Sequence, residues 1–167
     1  MATTEHRNVR LDRVACAVLT VSDTRTPLTD ESGKLIRNRL AAAGHQVASH
    51  EIIPDDAVAV CSRVLELCRS PAIHVVLLTG GTGLAARDTT CEAVESVCKK
   101  NIEGFGELFR MLSFEQVGSS AMLSRATAGV CNSTAVFCMP GSTGAVALAL
   151  DRLILPEITH IAALLGK

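Results

Sequence analysis

The chain of 167 residues lacks tryptophan and tyrosine and contains only four phenylalanines. This composition excludes a tyrosine corner, a tryptophan-anchored immunoglobulin core and an interfacial aromatic belt, and it leaves few rings for stacking single-stranded bases. An excess of charge of one sign is also lacking, because 16 Lys and Arg balance 17 Asp and Glu. A charge this balanced argues against non-specific binding to nucleic acids or membranes.

Long apolar runs are absent as well. The longest have about seven residues, too few for a transmembrane helix, and residues 1–12 lack the apolar core of a signal peptide. We therefore predict a cytoplasmic protein with a flexible N-terminal arm over residues 1–12 and a single domain over residues 13–167. The seven cysteines are an odd number without C-x-x-C spacing. They indicate small buried side chains rather than a disulfide framework or a zinc site.

Apolar strands alternate with amphipathic helices in the first half of the chain. The strands are predicted at residues 14–21, 47–53 and 73–79, and the helices at residues 31–43 and 55–69. This order is typical of βαβ units, so we expect an α/β fold in which helices cover both faces of a mostly parallel sheet.

The second half of the chain is less regular. Two patterns of the S/T-x-x-E/Q type, at residues 89–92 and 113–116, predict capping boxes that open helices. The remaining predicted elements are a short helix from Gly104, strands at 128–131 and 135–139 around a turn at 132–133, a helix over 145–153, and a tail helix starting at Pro156.

A glycine-rich motif, Thr79-Gly80-Gly81-Thr82-Gly83, follows the third predicted strand. In an open α/β sheet, ligands bind outside the carboxyl ends of the strands. Glycines let the backbone fold closely around an anion, and the threonine hydroxyls add donors, so we predict a phosphate site. A structural turn is one alternative. A dinucleotide site is another, because residues 81–86 match G-x-G-x-x-A, although the next helix is expected to start only at Thr89.

Asp55 and Asp88 are the candidate magnesium ligands, because Mg²⁺ usually binds one or two carboxylates together with substrate phosphates. Alternatives remain open at each position. Asp55 follows a proline and suits a helix cap, and Asp88 suits an ordinary loop. Asp23 can hold a turn or face the ligand, and Ser142 can cap a helix or bind phosphate. No H-E-x-x-H or G-x-S-x-G motif supports a zinc or covalent mechanism.

Together these motifs resemble the molybdenum cofactor biosynthesis protein B family, the MoaB/MogA group of molybdopterin adenylyltransferases. The resemblance runs from Val14 to Leu153, and its later part is more similar to the B-type branch. The motifs that carry it are Val21-Ser-Asp-Thr24, Pro54-Asp55, Thr79-Gly-Gly-Thr-Gly83, Arg87-Asp-x-Thr-x-Glu-Ala93, Gly104-Phe-Gly-Glu107, Phe109-Arg-x-Leu-Ser-Phe114, Ser120-Ala-Met-Leu-Ser-Arg125 and Pro140-Gly-Ser142.

The resemblance implies a three-layer α/β/α sandwich with the MogA-like fold, assembled as a homotrimer or homohexamer. It implies that Mg-ATP and molybdopterin give adenylyl-molybdopterin and pyrophosphate, and that the product passes to a molybdate-insertion enzyme. Asp55 and Asp88 would be the catalytic carboxylates, and we assign them to Mg²⁺ binding. The substrates would be bound by Ser22, Asp23, Thr79, Gly80, Gly81, Thr82, Gly83, Glu107, Pro140, Gly141 and Ser142.

The sequence departs from the resemblance at Gly144. Many relatives have lysine at this position, two residues after the serine of the Pro-Gly-Ser motif. Lys34, Arg25 or Arg87 would then have to neutralise phosphate in its place. A second hypothesis is therefore a protein of the same pathway that binds molybdopterin without adenylylating it. A third, from another class, is an NAD-dependent enzyme.

Overall fold

The computed structural model describes residues 9–166. Within that range the chain forms six strands and six α-helices. A 3₁₀ segment follows α4, and a π-helical turn connects α5 to α6. In chain order they are β1 (Ala15–Val21), α1 (Glu31–Ala42), β2 (Gln46–Ile53), α2 (Ala57–Arg69), β3 (Val75–Thr79), α3 (Thr90–Val97), β4 (Lys100–Asn101), α4 (Glu103–Val117), a 3₁₀ segment (Gly118–Leu123), β5 (Thr127–Cys131), β6 (Thr134–Met139), α5 (Thr143–Ala149), a π-helical turn (Leu150–Ile154) and α6 (Leu155–Leu164).

The strands form one sheet in the order β2-β1-β3-β6-β5-β4. The first four of these strands run parallel, and β5 and β4 pair antiparallel at one edge. The predicted α/β fold with a mostly parallel sheet is thus confirmed. β2 lies on one side of β1 and β3 lies on the other, so the strand order reverses between β1 and β3. Such a switch point opens a crevice at the carboxyl ends of the two strands.

Helices cover both faces of the sheet, which makes the three layers. Alternate residues of β1 face opposite cores: Cys16 and Val18 contact the core formed with α1, α4, α5 and α6, whereas Ala17 and Leu19 contact the core formed with α2 and α3. A strand buried on both faces has to be apolar throughout. All seven cysteines are free thiols and five are buried, as expected for small apolar side chains.

The helices α1 and α2 begin at aspartates that cap their first turns. Asp30 accepts a hydrogen bond from the Gly33 N–H at 2.8 Å, and Asp56 accepts one from the Ala59 N–H at 2.8 Å. The alternative in which Asp55 caps α2 is therefore wrong. The Asp55 carboxylate is left for other contacts.

The two predicted capping boxes are wrong in different ways. α3 begins where expected, but the Thr89 side chain makes no capping hydrogen bond and Glu92 pairs with Arg125 instead. Ser113 is buried inside α4, one helix of 15 residues rather than two short ones. The helix continues through Ser113 because the buried Phe109 holds the preceding turn in the core.

The last helical region is more continuous than predicted, and two short elements were not predicted. Residues 143–164 are helical throughout, with a π-helical turn between α5 and α6. β4 has two residues and the 3₁₀ segment has six. Segments this short carry no periodic pattern from which they could be predicted.

Part of the predicted N-terminal arm lies outside the described residues, namely residues 1–8. Two residues that follow are hydrogen-bonded to α6. The Leu11 N–H donates to the Thr159 carbonyl at 3.2 Å, and the Arg10 guanidinium donates to the Pro156 carbonyl at 3.1 Å. Across residues 9–166, no helix combines the length and hydropathy that a membrane span requires.

Candidate functional site

Three loops meet at the carboxyl ends of β1, β3 and β6. They start at Ser22, Gly80 and Pro140, the strand ends that the sequence predicts. A Cβ added at Gly141 would lie 3.5 Å from the Cα of Gly80, so the second and third loops approach to van der Waals contact. A cavity of about 340 Å³ opens between the three loops and is lined by Ser22, Gly80, Gly141 and Ser142, among others.

The backbone geometry requires glycine at two positions of the glycine-rich loop. Gly80 and Gly81 have φ angles of 101° and 65°, in the left-handed region that side chains disfavour. A Cβ on Gly80 would also lie 2.3 Å from the carbonyl oxygen of Val21. Turns of this kind direct successive backbone N–H groups into a concavity that suits an anion.

Hydrogen bonds fix the positions of these loops relative to each other. The Thr79 hydroxyl donates to the Pro140 carbonyl at 3.0 Å, and the Ser32 hydroxyl donates to the Gly141 carbonyl at 2.7 Å. The Gly80 N–H donates to the carbonyl of the last residue of β6 at 3.1 Å. The cavity is thus shaped before any ligand enters it.

Two buried oxygens beside Gly81 lack hydrogen-bond partners within residues 9–166: Oδ1 of Asp55 and Oγ1 of Thr90. A Cβ on Gly81 would lie 2.0 Å from Thr90 Oγ1 and 2.9 Å from Asp55 Oδ1. Both oxygens therefore lie against the side of Gly81 from which a side chain would project. A buried oxygen without a partner costs about 1–3 kcal/mol, so this arrangement indicates a position that a ligand completes.

An ion pair between Asp23 and Arg87 lies beside Asp55. Asp23 accepts a hydrogen bond from the Asp55 N–H at 3.0 Å and pairs with the Arg87 guanidinium, so it ties the loops after β1 and β2 to the loop before α3. Asp88 also acts electrostatically on Asp55. The three carboxylates outnumber the guanidinium groups near them, those of Arg87 and Arg125, so the local charge suits a cation.

The surroundings of Asp55 favour its neutral form. Burial raises the pKa of the Asp55 carboxyl group, the charges of Asp88 and Asp23 raise it further, and Arg87 opposes them. A cation bound at this position would favour the ionised form instead.

Asp88 folds back onto the glycine-rich loop. Its Oδ2 accepts a hydrogen bond from the Ala85 N–H at 3.2 Å. The same oxygen would lie 2.6 Å from a Cβ on Gly83. Glycine at this position therefore lets the Asp88 carboxylate lie directly against the loop.

Arg125 holds the same loop and was not among the predicted site residues. Its Nε donates to the Thr82 carbonyl at 3.2 Å, its Nη2 donates to the Asp88 carbonyl at 2.7 Å, and its Nη1 pairs with Glu92. The planar fork of a guanidinium suits such multiple bonding. The sequence places Arg125 in a motif, but no local pattern indicates that it bonds to the glycine-rich loop.

The serines at the strand ends accept hydrogen bonds from the backbone. Ser22 Oγ accepts from the Thr24 N–H at 3.2 Å and from the Arg25 N–H at 3.1 Å. Ser142 Oγ caps α5 by accepting from the Ala145 N–H at 3.2 Å, which is one of the two roles considered for it. The Ser142 hydroxyl can still donate its proton to an anion in the cavity.

A second cavity, of about 430 Å³, adjoins the glycine-rich loop near α4 and α5. Thr82 and Gly83 border it, and Ser142 lines both cavities. Its apolar wall is formed by Phe109, Val117, Leu123 and Leu148, among others. The sequence does not predict this cavity, because its wall comes from separate segments without a shared motif. An apolar cavity beside an anion site suits a ligand that carries both a ring and a phosphate.

Glu107 lies apart from these two cavities. It borders a third one, of about 550 Å³, together with Glu92, Glu103, Arg110 and Arg125. Arg125 connects this cavity to the glycine-rich loop, because it lines the cavity and donates a hydrogen bond to the Thr82 carbonyl.

The oxygen donors fit a magnesium ion better than a transition metal. No group of three or more His, Cys, Asp or Glu side chains is arranged to hold a metal ion in the part of the chain that the structure describes. Asp55 and Asp88 supply two carboxylates. Mg²⁺ is typically bound by one or two carboxylates, with water and substrate phosphates as the other ligands.

The start of α3 argues against the dinucleotide alternative. In the G-x-G-x-x-A fingerprint the helix opens within the glycine motif, so that its N-terminus meets the pyrophosphate. Here a loop follows Gly83, and α3 begins only at Thr90.

Comparisons with known proteins point to one family. Residues 17–160 match the family model described as "Probable molybdopterin binding domain". The chain is 51% identical over 162 residues to molybdenum cofactor biosynthesis protein B of Bacillus subtilis, covering 96% of this chain and 95% of that protein. It is also 51% identical over 161 residues to the protein of the same name from Staphylococcus aureus, covering 94% and 95%.

Solved structures give the same result. A crystal structure of a molybdenum cofactor biosynthesis protein B superposes with a TM-score of 0.90 at 51% identity, covering 92% of this chain and 96% of that one. The tungsten cofactor synthesizing protein MoaB from Pyrococcus furiosus superposes with a TM-score of 0.83 at 36% identity, covering 94% and 99%.

Proposed function

Because this chain belongs to the molybdenum cofactor biosynthesis protein B family, we propose that it transfers AMP from Mg-ATP to the terminal phosphate of molybdopterin, releasing pyrophosphate. The proposal rests on one observation: a loop that suits an anion and a group of carboxylates that suits a cation lie side by side at the switch point of the sheet. The glycine-rich loop suits an anion, and the carboxylates beside it suit a cation. A magnesium–phosphate complex satisfies both.

The reaction needs positioning more than proton transfer. The terminal phosphate of molybdopterin is already anionic, so one of its oxygens attacks the α-phosphorus of ATP without a general base. The bond from the α-phosphorus to the bridging oxygen breaks, and pyrophosphate leaves with the electron pair. Alignment of the two phosphates and stabilisation of the developing charge account for most of the catalysis in such transfers.

The residues divide these tasks. Asp55 and Asp88 would hold Mg²⁺, directly or through water, and the ion would neutralise charge on the leaving pyrophosphate. The N–H groups of the glycine-rich loop and the Ser142 hydroxyl would bind phosphate oxygens. Arg125 would keep the loop in place through its bonds to two loop carbonyls.

The apolar cavity offers a place for a planar ring. The scarcity of aromatic residues suggests a site that binds phosphates more than rings. Phe109, Val117 and Leu148 nevertheless give the second cavity an apolar wall beside the loop. A nucleobase or pterin ring would bind there by burial of apolar surface rather than by stacking on tyrosine or tryptophan.

Arg25 is the best-placed substitute for the lysine that is missing at Gly144. It borders the first cavity together with Ser22 and Gly80. Arg87 is paired with Asp23, and Lys34 lines a separate depression with His50. We therefore assign phosphate neutralisation to Arg25.

The family resemblance and the surface of α4 support assembly of this chain into a homotrimer or homohexamer. Four large apolar side chains of α4 and the 3₁₀ segment are exposed and lie outside the two cavities beside the glycine-rich loop: Leu108, Met111, Phe114 and Met122. An apolar surface of this kind marks an interaction site. In the proposed pathway, the adenylylated product is handed to a molybdate-insertion enzyme in the cytoplasm.

The test is direct detection of the product. The pure protein is incubated with molybdopterin, ATP and Mg²⁺, and mass spectrometry looks for AMP joined to the pterin. Formation of that product with release of pyrophosphate is expected. Intact molybdopterin binding without product would favour the alternative in which the protein only binds the pterin.

The Asp88→Asn variant tests the role of the carboxylate in the same assay. The amide keeps the size of the side chain but removes its charge, so adenylyl transfer should be lost, by roughly 100-fold or more for an electrostatic group at the reacting centre. Molybdopterin binding should stay within a few-fold of wild type. Full turnover by this variant would rule out a metal-binding role for Asp88.

A further inference from the structure

We propose that Thr90 is a further metal-binding residue: its hydroxyl joins the Asp55 carboxylate in holding one divalent cation under Gly81. The inference rests on the proposed function, because it completes the magnesium site of that reaction. It also adds a ligand of a different kind, since a hydroxyl oxygen donates a lone pair without adding charge.

The backbone fixes the Thr90 hydroxyl at this position. Thr90 is the first residue of α3 and is fully buried. Its N–H donates to the Gly81 carbonyl at 3.1 Å, which ties the start of the helix to the glycine-rich loop. The hydroxyl then faces the place where Gly81 has no side chain, and any other residue at position 81 would fill that place.

Asp55 and Thr90 present their oxygens to the same small volume. Both unpartnered oxygens lie on the same side of Gly81: a Cβ on this glycine would be 2.0 Å from Thr90 Oγ1 and 2.9 Å from Asp55 Oδ1. A Mg²⁺ ion binds its oxygen ligands at about 2.0–2.1 Å. Two oxygens placed side by side in this way suit two adjacent ligands of one such ion.

The surrounding charge favours a cation over a water molecule. A water could satisfy both oxygens with hydrogen bonds, but it would leave the negative charges around Asp55 unbalanced. The three carboxylates of Asp23, Asp55 and Asp88 outnumber the guanidinium groups near them. Arg87 pairs with Asp23, and Arg125, whose charge acts on Asp88, is also paired with Glu92. Asp88 accepts a hydrogen bond from the Ala85 N–H through Oδ2, and its remaining acceptor positions stay available to the ion. Thr90 therefore adds a neutral oxygen to the two carboxylates and replaces neither.

A structural role does not account for the hydroxyl. Thr90 Oγ1 does not cap α3 and bonds to no other group within residues 9–166. Valine has the same shape and would avoid the cost of burying an unpaired hydroxyl. A bound ion would serve as the partner of this hydroxyl and would account for a threonine at this buried position.

The test measures Mn²⁺ binding as a substitute for Mg²⁺, using the loss of the free Mn²⁺ signal in electron paramagnetic resonance. The protein is the full chain without nucleotide or pterin, so failure of adenylyl transfer would leave the result intact. The variants are Thr90→Val, which removes the hydroxyl, Thr90→Ser, which keeps it, and Asp55→Asn. The control is Thr134→Val, at a buried threonine at the start of β6 whose hydroxyl donates to the Ile73 carbonyl at 3.2 Å.

We expect the Thr90→Val variant to lose about tenfold or more in Mn²⁺ affinity, the Thr90→Ser variant to stay close to wild type, and the Asp55→Asn variant to lose most binding, in line with the 10- to 100-fold effects typical of residues around a metal. Thr134→Val should leave the affinity unchanged. Wild-type affinity in Thr90→Val, or no Mn²⁺ binding by the wild-type protein at millimolar concentration, would overturn the proposal.

Thermal unfolding without metal separates this role from a structural one. Thr90→Val should unfold at the wild-type temperature or above it, because its hydroxyl has no protein partner to lose. Thr134→Val should unfold at a lower temperature, because it loses a hydrogen bond. A marked loss of stability in metal-free Thr90→Val would show that the hydroxyl serves the fold and would contradict the inference. If Thr90→Val fails to fold, Thr90→Ala gives the same binding measurement.

Discussion

The folded protein disfavours the ionised form of Asp55 when no metal is bound. The stability of the protein should therefore depend on pH in a defined direction. Burial raises the pKa of the Asp55 carboxyl group above the ordinary value of an aspartate, and the charges of Asp88 and Asp23 raise it further. A raised pKa in the folded state means that the protonated form contributes stability at low pH. That contribution is lost as the pH rises through the folded pKa, because the unfolded state then releases its proton more readily.

The Asp55→Asn variant should therefore be more stable than wild type at neutral pH in metal-free buffer, and the difference should shrink as the pH falls toward 4. Urea unfolding at a series of pH values measures it. Asp56→Asn is the matched control: it makes the same substitution at the next residue, and asparagine caps helices about as well as aspartate. If Asp55→Asn were the less stable protein at pH 7, the proposed environment of the carboxylate would be wrong.

The sequence predicted the residues at strand ends better than it predicted their partners. The order of strands along the chain places Ser22, Gly80 and Ser142 around one cavity, and that order can be predicted from apolar runs. Asp55 and Asp56 are alike in sequence, and only the extended backbone at residue 56 makes that residue the cap of α2. The bonds of Arg125 to the glycine-rich loop depend on tertiary packing alone.

Among the elements, α4 shows how one glycine sets the distance between a helix and the sheet. A Cβ on Gly106 would lie 2.6 Å from the Ala126 carbonyl oxygen, next to β5, whereas nothing lies within 4 Å of a Cβ on Gly104. Both glycines are in the first two turns of α4. The pair therefore separates the effect of close packing from the effect of helix propensity.

Gly106→Ala should destabilise the protein by about 1–3 kcal/mol, since the added methyl group forces the helix away from the sheet. Gly104→Ala should stabilise it by about 0.5–1 kcal/mol, because alanine is the better helix former and the space is open. Urea unfolding of the two variants measures both effects. Equal changes of the same sign would show that α4 does not pack as closely as the structure indicates.

The elements of the first half were predictable because each strand and helix carries its own pattern. β1 and β3 are apolar runs buried on both faces. Aspartates begin the helices α1 and α2, and Gly44 follows the end of α1. In the second half, local patterns compete with packing. The polar Ser113 suggests a new helix start, but Phe109 and Leu112 are anchored in the core and keep α4 unbroken.

At the scale of the whole molecule, the outer surface of α4 is the feature that a single chain leaves unexplained. Phe105 and Phe109 face the core, yet Met111 and Phe114 on the same helix are 54% and 63% exposed. From sequence alone, apolar residues on both sides of a helix are easily assigned to one core. The structure separates them, and the outward ones form the surface at which the proposed homo-oligomer would make its contact.

If the proposed assembly uses the outer surface of α4, Phe114→Glu should convert it to a monomer, because a charge is costly to bury in an apolar contact without a partner. Light scattering coupled to size-exclusion chromatography measures the mass of the wild-type protein and the variant. The matched control is Val58→Glu, which introduces the same charge at a 73% exposed valine of α2 and should leave the assembly intact. Circular dichroism should show that both variants remain folded. A trimer or hexamer that survives Phe114→Glu would place the contact between subunits elsewhere than on the outer surface of α4.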